Sequence, residues 1–195
     1  MKKILWLDVE TTGFSSKRNG IISIAAFAMV AGDIKPHWRF VREMNPVDRE
    51  IEDGALTVNG FTRERIAAAT PWTEVAASFV SWLGSMNAEL EDFDPFNVAG
   101  YVVDFDVRFI ENWLETSNIL ASSWMDTKNL LDVHKIARGC SMPELMGAVN
   151  HKLVTVVEAM KIPMGTAHTA EADILATIEV YKRLLAHQGK DIANV

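Results

Sequence analysis

Cysteine is nearly missing from this chain, and Cys140 alone cannot close an internal disulfide. The fold must therefore be held by burial, and a lone thiol of this kind fits a small core or surface residue in a reducing compartment. Glycine (11) and proline (6) are scarce for 195 residues. Together with 49% hydrophobic and 23% charged residues, that scarcity excludes collagen-like, low-complexity and disordered chains. Long apolar runs are lacking at the start. After Met1-Lys2-Lys3 the apolar stretch 4–7 stops at Asp8, too short for a signal-peptide core or a membrane span. A soluble cytoplasmic protein with no membrane contact is expected. Positive charge is also in deficit, 19 Lys and Arg against 26 Asp and Glu, net −7. Proteins that wrap duplex by neutralising many phosphates are normally basic. Acids that hold metal ions count as negative in that sum, so a small, local, metal-assisted nucleic-acid site remains compatible with it.

The length fits one domain, residues 1–195 with a core of about 3–187, able to bury roughly 70% of its unfolded surface. Residues 3–9 form a short, almost continuous apolar run, as expected of a central strand buried on both faces. Residues 21–30 and 37–41 supply two more strands, with turns at Gly20 and Ala31-Gly32-Asp33, so an antiparallel meander is predicted. A polar stretch follows over 45–62, with a turn at Asn59-Gly60. Thr70 reads as an N-cap and Pro71 as the first position of a helix. Its buried stripe is Trp72, Val75, Ala76, Phe79, Val80 and Leu83. A strand over 96–103, a helix over 104–114 and a strand–helix pair over 122–137 come next. The chain reads as mostly helical after Pro143, and the final helix runs from about 167 to 187. Three strands followed by alternating strands and helices predict an α/β fold, a mixed sheet with helices on its faces.

Acids gather at the ends of these elements. Asp8 and Glu10 are two residues apart on a strand, so both carboxylates project from one face. Either the strand has ended and both are solvated, or they face a hard divalent cation such as Mg²⁺. Asp104 and Asp106 repeat the theme, and the bland reading makes Asp104 an N-cap and Asp106 a partner of the helix dipole. His168 and Asp173 lie five apart, which on a helix puts them on different faces. They converge only if His168 sits in the approach to the helix.

These signals match one pattern together. Leu7-Asp8-Val9-Glu10-Thr11-Thr12-Gly13-Phe14, Ala99-Gly100-Tyr101-Val102-Val103-Asp104-Phe105-Asp106-Val107-Arg108-Phe109 and Ala167-His168-Thr169-Ala170-Glu171-Ala172-Asp173 resemble the three motifs of the DEDDh (DnaQ-like) exonucleases. That family includes the proofreading epsilon subunit of bacterial DNA polymerase III and ribonuclease T. Asn45-Pro46, Asn59-Gly60-Phe61-Thr62 and Met125-Asp126-Thr127 fit the connecting segments. Tyr101-Val102 stands where the family often has His-Asn, and Ser23 where it commonly has glutamate. Neither position is a metal-binding acid.

The resemblance implies a ribonuclease H-like fold and 3′–5′ hydrolysis that releases 5′-mononucleotides with two divalent ions, Mg²⁺ or Mn²⁺, about 4 Å apart. It implies that Asp8, Glu10 and Asp173 hold one ion, that Asp8 and Asp106 hold the other, and that His168 is the general base. Thr11, Thr12, Phe14, Asn59 and Phe61 become candidates for gripping the terminal nucleotide. Phe105 reads equally well as core, and the tryptophans as core. The expected partner is a single-stranded 3′ end, DNA favoured and RNA the alternative, with a homodimer as one arrangement. Lys17-Arg18 and the pair Arg63 and Arg65 are the cations expected at the mouth. A stand-alone enzyme rather than a fixed proofreading subunit is expected, since no long tail beyond Val195 is there to tether a polymerase. Two remote alternatives are an inactive binding module of the same fold and a haloacid-dehalogenase-like phosphatase. The latter wants aspartate where Glu10 stands.

Overall fold

The structure is a computed structural model that describes residues 2–163 and 169–194. Five strands form one mixed sheet: β1 (Lys3–Thr11), β2 (Ile21–Val30), β3 (Arg39–Glu43), β4 (Phe96–Gly100) and β5 (Met125–Asp132). Their order is β3-β2-β1-β4-β5. The first three strands pair antiparallel, as expected of a meander, whereas β4 pairs parallel to β1 and β5 to β4. Among the described residues seven α-helices flank this sheet: α1 (Asp53–Asn59), α2 (Arg63–Ala68), α3 (Trp72–Leu90), α4 (Asp104–Thr116), α5 (Val133–Gly139), α6 (Leu153–Ala159) and α7 (Ala170–His187). No helix of the described residues is long and apolar enough to cross a membrane.

β1 is the central strand, and its alternation divides the interior. Leu5, Leu7 and Val9 join the core formed with α3 and α4, while Ile4 and Trp6 join the core under α5, α6 and α7. Asp8 and Glu10 continue the row of Trp6, so they point towards the α7 side. The helix α7 packs on β1 and β2, and its Tyr181 lies 5.6 Å from Trp6, ring to ring. Asp173, Thr177 and Tyr181 are four residues apart and share one face of α7. Asp173 is thereby carried over the carboxylates of β1.

Several boundaries differ from those the sequence suggests. β4 ends at Gly100 rather than at Val103. A Cβ on Gly100 would come within 2.8 Å of the Leu7 carbonyl oxygen, so only glycine lets the two strands approach there. The chain then turns through Val102 at φ 58°, and Val103, not Asp104, flanks the start of α4. The 45–62 stretch contains a helix, α1, closed by Gly60 at φ 71°. Thr70 does not cap α3, because Pro71 occupies the flanking position. The Thr70 carbonyl accepts from the Asn45 amide at 2.8 Å, and the Asn45 carbonyl from Trp72 at 3.0 Å. β3 starts at Arg39, after a 3-10 turn over Pro36–Trp38. Residues 143–150 form turns rather than helix, and α7 begins at Ala170, capped by the Thr169 hydroxyl.

Candidate active site

β1 runs on past Val9, so Asp8 and Glu10 belong to the strand instead of following it. A register shift between Glu10 and Thr11 bends the strand directly after the second acid. Carboxylate oxygens of Asp8, Glu10 and Asp173 lie within 4.8 Å of one another, and all three residues are half-buried. Asp106 is buried, at 4% exposure, and its Oδ1 accepts the amide of Val9 at 3.1 Å. That amide sits between the two acids of β1, so the first turn of α4 is tied to the same strand end. Asp106 lies in the first turn of α4, where it complements the helix dipole, and is bonded to β1 as well. Asp104 is exposed and pairs with Arg108 at 3.4 Å.

Burial first, and mutual crowding second, raise the pKa values of Asp8, Glu10 and Asp106. Burial holds the Asp8 carboxyl well above the usual carboxylate range, and the charges of Asp106, Asp173 and Glu10 add to it. Glu10 is pushed up to about 7, by burial first and by Asp173 second. Burial likewise raises Asp106, against the hydrogen bond from Val9 that favours its charged form. Such a set is costly without a compensating proton or cation. Hard oxygen donors at this spacing suit Mg²⁺ or Mn²⁺, so the residues present fit a divalent cation.

The acids open onto a cleft of about 380 Å³, lined by Asp8, Glu10, Phe14, Val58, Tyr101, Val102, Phe105, Asp106 and Asp173. Phe14 is 87% exposed and Val58 70%, an unusual exposure for large apolar side chains flanking a polar floor. Phe105 serves both expectations: it packs against the core cluster and lines the cleft. Asn59 and Phe61 line a second hollow on the other side of Glu10. The Asn59 amide donates to the Thr11 carbonyl at 3.1 Å, which fastens the end of α1 to the end of β1. Thr11 turns its own hydroxyl onto the Gly13 carbonyl at 2.8 Å. Thr12 does not face the cleft. It is fully buried, and its hydroxyl donates to the Glu50 carbonyl at 2.6 Å and accepts from the Gly20 amide at 2.9 Å. Thr12 therefore closes the loop and is not free to grip a ligand. His168 lies outside the described residues.

The family profile RNase_T, described as Exonuclease, matches residues 5–181. The chain belongs to the RNase_T exonuclease family. It is 28% identical over 190 residues to a PolC-type DNA polymerase III of Latilactobacillus sakei, covering 96% of this chain and 12% of the polymerase. Against the Thermotoga maritima PolC-type polymerase the identity is 23% over 184 residues, again 12% of the polymerase and 94% of this chain. The fold superposes on Escherichia coli exonuclease I in complex with a dT13 oligonucleotide with a TM-score of 0.79 at 21% identity. That match covers 97% of this chain and 42% of exonuclease I. An ExoI/SSB-Ct complex superposes with a TM-score of 0.77 at 20% identity, over 97% of this chain and 42% of the other. The chain thus spans a small part of the polymerases and less than half of exonuclease I. The family implies divalent metal ions, and the ribonuclease H-like architecture expected from the motifs is the one observed.

Sequence reasoning missed Val58 as a cleft residue and marked Tyr101 and Val102 only as departures from the family motif. Val58 sits on α1, inside a stretch that reads as loop. Tyr101 and Val102 follow β4, and the Tyr101 hydroxyl is tied to the His151 carbonyl, a contact no local pattern announces.

Proposed function

We propose that the domain is a 3′–5′ exonuclease that releases 5′-mononucleotides from single-stranded ends, with DNA favoured. The observation that carries this reading is the convergence of Asp8, Glu10 and Asp173 within 4.8 Å, with Asp106 fastened beside them, on the floor of an apolar-walled cleft. Asp8, Glu10 and Asp173 would hold one divalent ion, and Asp8 and Asp106 a second. When bound, the ions supply a water of lowered pKa and neutralise charge on the phosphate. The chain's own residues orient and enclose the strand end. Phe14 and Val58 offer apolar faces to a terminal base or sugar, and stacking on such faces tolerates any base. His168, five residues before Asp173 in the chain, takes the proton of the attacking water.

Single strands are favoured because few cations near the site are left to hold a second strand. Arg18 pairs with Glu50 at 3.3 Å and Arg63 with Asp53 at 2.8 Å, so the net charge of −7 is not relieved by a basic stripe. Each duplex end would also have to be opened, at about 1.4 kcal/mol per base-pair step. The structure of E. coli exonuclease I with dT13 supports a DNA substrate. The deciding measurement uses labelled DNA and RNA strands, single and double, with Mg²⁺, Mn²⁺ or EDTA. Metal-dependent mononucleotide release, fastest on single-stranded DNA, is expected. Equal rates on blunt duplex would overturn the strand preference, faster RNA cleavage would overturn the DNA preference, and no release with either metal would overturn the reading itself.

A further inference from the structure

Glu10 borders two hollows. Besides the cleft it shares with Asp8, it lines a second one of about 260 Å³ with Ser23, Glu43, Asn59, Phe61 and Arg65. The strand register explains why. Glu10 pairs with Ser23, and Ser23 pairs with Glu43, so the three side chains form a row across β1, β2 and β3 on one face of the sheet. The small serine in the middle leaves the row low at its centre, and the hollow lies over it.

Arg65 is fixed at the far side of this row from two directions. Its Nε donates to Glu43 Oε2 at 3.0 Å and its Nη2 to Glu43 Oε1, a two-point contact along one edge of the guanidinium. Its flat face rests on Phe61, 4.0 Å from the ring centroid. The other Nη2 proton and both Nη1 protons have no hydrogen-bond partner among the described residues. Arg65 is also the one basic side chain among the described residues that lines either hollow. Arg63, two positions earlier, is turned away onto the Ile51 carbonyl and Asp53.

A planar fork with one edge anchored and the other open, set beside a phosphodiester-cutting centre, matches the geometry of a phosphate oxygen pair. We propose that Arg65, positioned by Glu43 and Phe61, grips a phosphate adjoining the phosphodiester that is cut. This rests on the exonuclease reading and extends it with a specificity residue that acts through binding. Phosphate of the strand and phosphate of the released mononucleotide share this chemistry, and the two are separated below.

The test compares wild type with Arg65→Ala and Arg65→Lys on a single-stranded dT oligonucleotide in Mg²⁺. KM is expected to rise about tenfold in both variants, the loss of one charged hydrogen-bonded contact, with a much smaller change in kcat. Lysine fails to rescue because an ammonium cannot hold Glu43 by two points and still present a fork. The slope of log KM against log salt should flatten by about one phosphate contact. Replacing the phosphate next to the terminal one by a neutral methylphosphonate should cost wild type the same factor and cost Arg65→Ala nothing more. If instead Arg65→Ala weakens inhibition by dTMP but not by thymidine, and is indifferent to the methylphosphonate, the phosphate gripped is the product's. Unchanged KM and salt slope in both variants, with native circular dichroism, would overturn the proposal. Anisotropy of a fluorescent dT oligonucleotide in EDTA separates the two readings. A wild type that binds but does not cut, with weaker binding by Arg65→Ala, would overturn the exonuclease reading and keep the phosphate contact. A wild type that neither binds nor cuts would overturn both.

Discussion

The amide of Val9 donates to Oδ1 of Asp106 at 3.1 Å, across a sequence separation of 97 residues. This bond uses one oxygen of Asp106 and fixes the carboxyl beside Asp8 and Glu10. Asparagine can keep the bond through its own Oδ1 while losing the charge. Asp106→Asn is therefore expected to fold, with a metal-free melting temperature equal to or above that of wild type, because a buried charge whose pKa is raised has been removed. Hydrolysis should fall by roughly two orders of magnitude or more, since a proposed metal ligand is gone. Thermal melts in EDTA and release assays in Mg²⁺ check the two halves separately. Near-wild-type turnover would exclude Asp106 from the metal site.

A second expectation concerns pH. Glu10 is raised to about 7 from an ordinary value of 4.5, so between those values the folded chain keeps a proton that the unfolded chain has lost. Stability from this group is full below about pH 4.5 and declines as pH rises towards 7. Asp8 shifts in the same direction. The decline is of order 2 kcal/mol once solvent screening is allowed for. Glu89 is held down to about 2, by Lys35 first and then by Trp38 and His37. Its contribution is present above pH 4.5 and lost only on acidification towards 2, outside this window. In EDTA the melting temperature should drop between pH 5 and pH 8, and Mg²⁺ should restore more at pH 8, where the carboxylates are free to bind it. A melting temperature that climbs with pH in EDTA would contradict this.

Thr12 and Phe14, two residues apart, should separate stability from substrate binding. Thr12→Val removes a buried hydroxyl and strands the Gly20 amide, while the Glu50 carbonyl keeps the Asn19 side-chain amide as a donor, at a cost of about 1–3 kcal/mol. Phe14→Ala, at an 87% exposed site, should leave the melting temperature alone and raise KM for single strands by about tenfold, in line with a lost stacking contact. Denaturant titration and steady-state kinetics on both variants provide the check.

Val102 holds φ 58°, a left-handed conformation that a β-branched residue adopts at a cost of about 1–2 kcal/mol. Its side chain is 44% exposed, so little burial is lost on changing it. Val102→Asn should stabilise the domain by about 1 kcal/mol, measured as an upward shift in the urea midpoint. A lower midpoint would mean that the apolar contact at the cleft wall outweighs the strain.

Much of this architecture is legible in the sequence, for identifiable reasons. β1 and β2 announce themselves because strands buried on both faces need unbroken apolar runs. The pairing of Asp8 with Glu10 follows from a period of two. Asp173 is different. Its spacing from His168 defines no common face, and only the family motif pointed to it, because the relation that matters is with Asp8 and Glu10 on another element. Helix α1 is hidden because none of its residues is buried, so it carries no stripe. Thr70 looks like a cap because local propensity favours it, yet the pairing with Asn45 overrides that preference. Arg18, Arg63 and Arg65 look alike in the chain, and only the positions of Glu50, Asp53 and Glu43 distinguish them.

The carboxylates gathered at the end of β1 come from its own strand, from the start of α4 and from the start of α7. During synthesis the ribosome makes Asp8 and Glu10 first and Asp173 last, and β1 receives its parallel neighbour β4 only midway. A nascent chain can thus complete its whole sheet while its acidic cluster is still lacking one corner. Any event that peels α7 from β1, whether heat, a protease or a competing surface, removes that corner and at the same time uncovers the face of β1 and β2 on which the helix packs. Completion of the cluster therefore depends on how firmly α7 is seated on β1.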